Sequence, residues 1–480
     1  MKKKIKYYSI IIFIISFLNF QFNLFKTVSN ERFEYFQVES EQFVLDGFLN
    51  HEINNEDLKL GQFTRPSIDM FEGGEEYKPR EWFKDKFVEG DFWEYKSHYG
   101  LQLIIFDFLN GNIALVHSIA SFLLSLIITL LFIQLSKIHT VNFALIFIFT
   151  LVFNPWITPM ARNGYFLIFI YFVPFLISFY YSKKINSSKL NLIFFLILLY
   201  VIFLFKSLIG YDYLSTIVLA SMIPITYYYL KNNLSIKRLL VNLFLIFFVS
   251  VLSFSTSVII HANSMKDQAD PFNWIYYAAA KRLSSDNPEK LAKETCFKLL
   301  SKDEMELDTN NKAYIDCYNE FVTSLSVSRL EVFSKYMLAR NIIPFLGSIE
   351  IKLNQNQETE LKEIYYDSSL SIIDKGLRAT NYGLKRYKEF NFLQVFSVFI
   401  NFIISPIVFL LLFALYLYKT LNSNFKNLIF NLFVLLPPIS WFLLAKGHSY
   451  ITTYQLTFVL WYIFSVPYMV AILFSEENFN

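Results

Sequence analysis

Three carboxylates, Glu39, Glu41 and Asp46, fall close together in the stretch FQVESEQFVLDGFLNHE, residues 36–52. A carboxylate held at a reaction centre can take the proton of an acceptor hydroxyl or hold a metal ion. The same composition also describes an ordinary solvated loop. Three further stretches interrupt apolar runs with a cation and hydrogen-bonding neighbours. FNPWITPMARNGYF (153–166) contains Arg162, and FKSLIGYDYL (205–214) contains Lys206, Tyr211 and Asp212. AKGHSYITTYQ (445–455) contains Lys446, His448 and Tyr450. An arginine fork matches phosphate oxygens and a lysine supplies a point charge, so a lipid phosphate would suit this set. Taken singly, each cation is equally well a snorkelling anchor whose charge reaches the headgroups. There is no phosphate-binding loop, dinucleotide GxGxxG, HExxH or CxxC. Their absence argues against an ATP-driven pump and against a cytoplasmic nucleotide-sugar enzyme.

The elements that must position these residues are membrane helices. The 480-residue chain is 54% hydrophobic and 19% aromatic, and its mean hydropathy is +0.38. Ordinary soluble domains average roughly 45–50% apolar residues. The excess is gathered into runs that, with their flanks, reach the ~20 residues a helix needs to cross a bilayer. The periodicity predicts ten spans, at 7–25, 112–135, 140–158, 162–182, 189–206, 213–230, 238–260, 393–418, 426–445 and 450–473. The MKKKIK start resembles a signal peptide, but the run after it is long and no small-residue cleavage site follows. It is read as a retained first helix.

Basic residues favour the cytoplasmic side of a membrane. Lys2, Lys3, Lys4 and Lys6 place the N-terminus inside. Alternation then puts Lys137, Lys183, Lys184, Lys189, Lys231, Lys237, Arg238, Lys419 and Lys426 inside, and Arg162, Lys206 and Lys446 outside. The net charge of +3 suggests no nucleic-acid partner. The expected organisation is a first helix (1–25), an extracytoplasmic loop (26–111), helices two to seven (112–260), a mostly helical extracytoplasmic domain (261–392), and helices eight to ten with a short tail (393–480). Helical periods at Pro288–Leu300, after a possible Asp286 cap, and at Tyr314–Met337 support that outer domain. Both cysteines, Cys296 and Cys317, lie there. A bond closing a loop of about 20 residues would stabilise it by roughly 3 kcal/mol in an oxidising compartment; two free thiols are an equal reading.

In their order along the chain, these features resemble the GT-C class of membrane glycosyltransferases. That class includes the protein O-mannosyltransferases, the aminoarabinose transferases acting on lipid A, and bacterial relatives of the glycosyltransferase 39 type. More narrowly, short stretches are similar to a group of uncharacterised bacterial multi-pass proteins. SEQFVLDG matches an SEGYVLG-like stretch, and YKSHYGLQ a YxSQxGLQ-like one with His98 where Gln is usual. ARNGYF matches an ARNLYW-like turn that has lost its Leu and Trp, and KSLIGYDY a KSLxGYEY-like turn. KGHSYITTY matches a KGHSYIHTH-like start of the last helix, without the later histidines.

The resemblance implies an all-α GT-C-like fold in a bacterial inner (cytoplasmic) membrane. It implies sugar transfer from a polyprenyl-phosphate donor to a glycan, lipid or protein acceptor on the outer face, amid membrane lipids. Glu41, then Glu39, would be the catalytic carboxylate. Arg162, Lys206, Lys446 and His448 would contact the donor phosphate, and Tyr99 and Gln102 would line the acceptor cleft; Tyr211 and Asp212 join the binding set. No cofactor is implied outright, although a divalent cation is compatible. Two other readings remain open. An O-antigen polymerase or ligase fits the 262–392 segment but not the long acidic first loop. A lipid or solute transporter would place ionisable groups near mid-membrane or break helices there.

Overall fold

The computed structural model describes residues 2–28, 30–36, 38–63, 79–88, 90–265, 270–280, 406–445 and 460–475, with isolated positions between 289 and 328. Among them helix dominates. Five helices are long and apolar enough to cross a membrane: α1 (Lys2–Phe22, apolar from Lys3), α6 (Ile113–Ile138), α10 (Lys189–Ile209), α12 (Ile236–Ser264) and α15 (Phe425–Leu444). With α11 (Leu214–Lys231), α14 (Pro406–Leu421) and α16 (Val466–Phe474) they form the body of a multi-pass membrane protein. Helix α1 lies along α6, α10 along α12, and α11 packs between α15 and α9 (Phe169–Tyr181). Side-chain caps start several of them. Asn112, Thr140, Ser188 and Asn424 each accept a backbone N–H from the first turn that would otherwise lack a partner.

Prolines inside α15 show how the apolar interior handles a missing donor. Pro438 cannot donate to the carbonyl four residues back, Val434 O. That oxygen instead accepts from Ser465 Oγ at 2.7 Å, at the end of a π-helical turn, Trp461–Ser465, that leads into α16. Thr216 of α11 donates to Pro437 O at 2.9 Å. The polar atoms satisfied here are also what register α11, α15 and α16 against one another.

At the expected spans 140–158 and 162–182 the helices are shorter than expected. Their helices, α7 (Val141–Val152) and α9, hold 12 and 13 residues. At 1.5 Å per residue they rise about 18–20 Å, well short of a ~30 Å hydrocarbon core. Residues 153–168 between them are not an exposed turn. They are a buried connector with one short helical turn, α8 (Ile157–Met160), and only Phe153 is partly open. Buried irregular backbone must find hydrogen-bond partners, and two asparagines supply them here. Asn154 Oδ1 accepts from the amides of Trp156 (2.8 Å) and Ile157 (3.1 Å). Asn163 Oδ1 accepts from those of Tyr165 (3.0 Å) and Phe166 (3.2 Å). From α1, Asn19 Nδ2 donates to Val152 O at 2.8 Å, a terminal carbonyl of α7.

The segment after α1 folds over this connector. It contains α2 (Asn30–Tyr35), α3 (Val38–Asn54), α4 (Pro79–Lys84) and α5 (Leu101–Phe108). It departs from the all-α expectation by a small antiparallel ribbon, β1 (Gly61–Phe63) with β2 (Phe92–Glu94), pairing Gln62 with Trp93. Gly47 lets the chain return against α3: a Cβ there would stand 2.4 Å from Lys59 O. Of the expected late outer domain, α13 (Pro271–Ala280) is described. Cys296 is buried and disulfide-bonded; Cys317 lies outside the described residues, as do the first parts of the expected spans 393–418 and 450–473.

Candidate functional site

Helix α3 is buried on nearly all sides between Glu41 and Asn50, packed by α4, α5 and β1, and Glu41 is fully buried. Three donors from separate parts of the chain close on this carboxylate. Arg80 Nε of α4 is 2.7 Å from Oε2, His117 Nε2 of α6 is 2.9 Å from Oε1, and the Gly164 amide of the connector donates to Oε1 at 2.8 Å. Burial by itself pushes the carboxyl up. Arg80, His117 and the Gly164 N–H outweigh it and hold Glu41 far below the usual carboxylate range. Gly164 allows this approach, since a Cβ there would lie 3.3 Å from Glu41 Oε1.

Arg162 sits beside this cluster with its guanidinium over the Phe33 ring, 3.9 Å from the ring centroid. It donates to Phe33 O at 3.0 Å and reaches Glu34 Oε2 at 2.8 Å. Arg80 meets the same Glu34 oxygen at 3.3 Å and the Glu34 carbonyl at 2.6 Å. Two guanidiniums thus converge on one carboxylate that is itself half exposed. Burial and the neighbouring Arg80 lower the Arg162 pKa, while Glu34 opposes them. Arg162 Nε is buried and has no hydrogen-bond partner among the described residues.

A second cluster adjoins the first through Tyr165, whose ring centroid is 6.3 Å from that of His98. His98 Nε2 stands 3.3 Å from Asp212 Oδ2. Tyr211 Oη lies 3.0 Å from His261 Nδ1 of α12; burial pushes its phenol well up. Lys206 is buried one turn from the end of α10, donates to Gly210 O at 2.5 Å and lies 5.0 Å from the Tyr171 ring centroid. Gln102 of α5 is buried, and neither its amide nitrogen nor its oxygen has a hydrogen-bond partner among the described residues. Such a group costs about 1–3 kcal/mol when nothing satisfies it.

The structure therefore brings Glu41 beside Arg162, and Asp212 and Tyr211 beside two histidines. Glu39 is exposed and its carbonyl accepts from Gln62. Tyr99 is partly buried. Asp46 accepts from Gln42 Nε2 at 3.0 Å and from the Phe63 amide at 3.1 Å, pinning the ribbon to α3. Lys446 and His448 lie outside the described residues. Sequence reasoning missed Arg80, Glu34, His117 and His261. His117 had a signal, since an ionisable residue inside the run IALVHSIA must find a partner; Arg80 and Glu34 had none beyond ordinary loop charge. Among the described residues no three His, Cys, Asp or Glu side chains converge as cation ligands; Arg80 brings positive charge to Glu41 directly.

Comparison with family models, curated proteins and solved structures finds no match. The functional reading rests on this geometry and on the resemblance of the short stretches.

Proposed function

We propose that the protein is a membrane glycosyltransferase that moves a sugar from a polyprenyl-phosphate donor to an envelope acceptor at the end of the bundle covered by the first loop. One observation carries this reading. The stretches that bear the resemblance are scattered in sequence yet pair in space: SEQFVLDG meets ARNGYF through Glu41 and Gly164, and YKSHYGLQ meets KSLIGYDY through His98 and Asp212. As the sugar–phosphate bond breaks, the leaving lipid phosphate gains negative charge. Arg80 and Arg162 supply a pair of forks for that charge, both held in place by the half-exposed Glu34 that the phosphate would displace.

A general base must be free to take a proton. Glu41 already accepts three charge-assisted or amide hydrogen bonds, so its assigned role is to hold Arg80 and the connector. The proton-accepting role falls to the His98–Asp212 pair, in which the carboxylate orients the imidazole. The test is glycan and glycolipid analysis of a strain lacking the protein, complemented with wild type, Asp212→Asn or Arg162→Ala. Both variants are expected to reach the membrane and yield no product. Normal product from Asp212→Asn would overturn the assignment of the pair.

A further inference from the structure

The end of the bundle opposite the first loop holds a cavity of about 730 Å3 between the C-terminal ends of α6 and α11, the start of α7, and the turn joining α14 to α15. Its volume falls in the range of small-molecule sites, ~300–1,000 Å3. Its rim is cationic and rich in amides: Lys231, Lys419, Asn422 and Asn427 line it, and no Asp or Glu does so among the described residues. Its inner wall is apolar, with Phe143, Phe430 and Ile472. His139 forms part of the lining and stacks between Phe143 and Tyr227, at centroid distances of 4.1 and 4.0 Å.

Both lysines are fixed in place. Lys231 Nζ donates to Ile138 O at 2.8 Å and Tyr227 Oη at 2.9 Å. Lys419 Nζ donates to Ile472 O at 2.5 Å. An ammonium group has three donors, so Lys419 has donors left for a ligand. The mouth continues onto the outward face of α14, where Leu411, Leu415 and Tyr418 are exposed. A cationic, amide-lined pit opening onto an apolar helix face is complementary to an anionic head on an apolar tail.

We propose that this cavity binds the phosphate headgroup of an anionic membrane lipid, with the phosphate between Lys231 and Lys419 and an acyl chain along Leu415 and Leu411. The site is separate from the clusters around Glu41 and His98 and does not depend on what they catalyse.

The test is thermal unfolding of the purified full-length chain in a neutral detergent. Dioleoylphosphatidylglycerol, dioleoylphosphatidylcholine and glycerol 1-phosphate would be titrated in separately. Phosphatidylglycerol is expected to raise Tm, and the other two to leave it unchanged. In Lys231→Gln/Lys419→Gln the lipid needed for half the effect should rise roughly tenfold or more, as expected for lost charge-assisted contacts. Lys137→Gln, exposed at the same end but outside the cavity, should respond like wild type. Asn427→Trp, which fills the cavity and keeps both lysines, should also lose the response, and it replaces the double variant should that fail to fold. Equal shifts with the two lipids, or an unaltered response in the cavity variants, would overturn the proposal. A glycerol 1-phosphate shift matching that of the anionic lipid would overturn the lipid assignment.

Discussion

Arg80, His117 and the Gly164 amide reach Glu41 from the first loop, α6 and the connector, so this side chain ties three remote segments together. Removing one member of a buried ion pair leaves the others uncompensated, at a cost of about 3–5 kcal/mol. Glu41→Gln should therefore lower thermal stability as well as any activity, and activity loss in that variant alone does not identify a base. The pH dependence follows from the depressed carboxyl pKa. The stabilisation is fully present above the unfolded value, about 4.3, and is lost as pH falls through the lower folded value. The stability gap between wild type and Glu41→Gln should not close between pH 7 and pH 5, and should begin to shrink only below about pH 4. A gap that closes between pH 7 and 5 would show that Glu41 does not carry a lowered pKa.

The connector 153–168 marks where element-level reading succeeds and where it stops. Pro155, Pro159 and the polar residues of FNPWITPMARNGYF are legible as a break between two apolar runs. That the break is buried is not legible, because charge alternation reports the side of a turn and not what later covers it. The asparagines take on a role no periodicity reveals: each satisfies two amides of irregular backbone. Asn163→Ala should strand the Tyr165 and Phe166 amides and cost roughly 1–3 kcal/mol for each buried donor. It should also loosen the Gly164–Glu41 contact next to them. Asn163→Asp keeps the accepting oxygen and should recover part of the stability in the same melting assay. Equal stability of Asn163→Ala and wild type would mean water reaches those amides. Helices such as α10 and α12 need no such support, and their spans, 189–206 and 238–260, are close to their observed extents.

At the scale of the whole molecule, the first loop is a cap on one end of a helical body, and the lysine-rimmed cavity opens at the other. Charge asymmetry predicts that the capped end faces outward. Single cysteines at Glu39 and Lys137, both exposed, test this directly, since no free cysteine competes among the described residues. A membrane-impermeant maleimide applied to intact cells should label the cysteine at 39 and not the one at 137; the reverse pattern would invert the topology. A transporter would place ionisable groups across mid-membrane. Here the ion pairs involving Glu41, Arg80 and Arg162, with the His98–Asp212 contact, gather under the cap.

By itself the sequence determined that the chain crosses a membrane many times, which segments are apolar enough to do so, and which short polar stretches interrupt them. Composition and period carry that information because the bilayer imposes a length and a polarity on every span. Only the tertiary structure decided that Glu41 meets Arg80, His117 and the Gly164 amide, that Arg162 shares Glu34 with Arg80, and that His98 finds Asp212. Those outcomes depend on desolvation and on donors brought from more than a hundred positions away, as Gly164 is to Glu41. A carboxylate's basicity is set by what surrounds it, and the sequence does not list its neighbours in space.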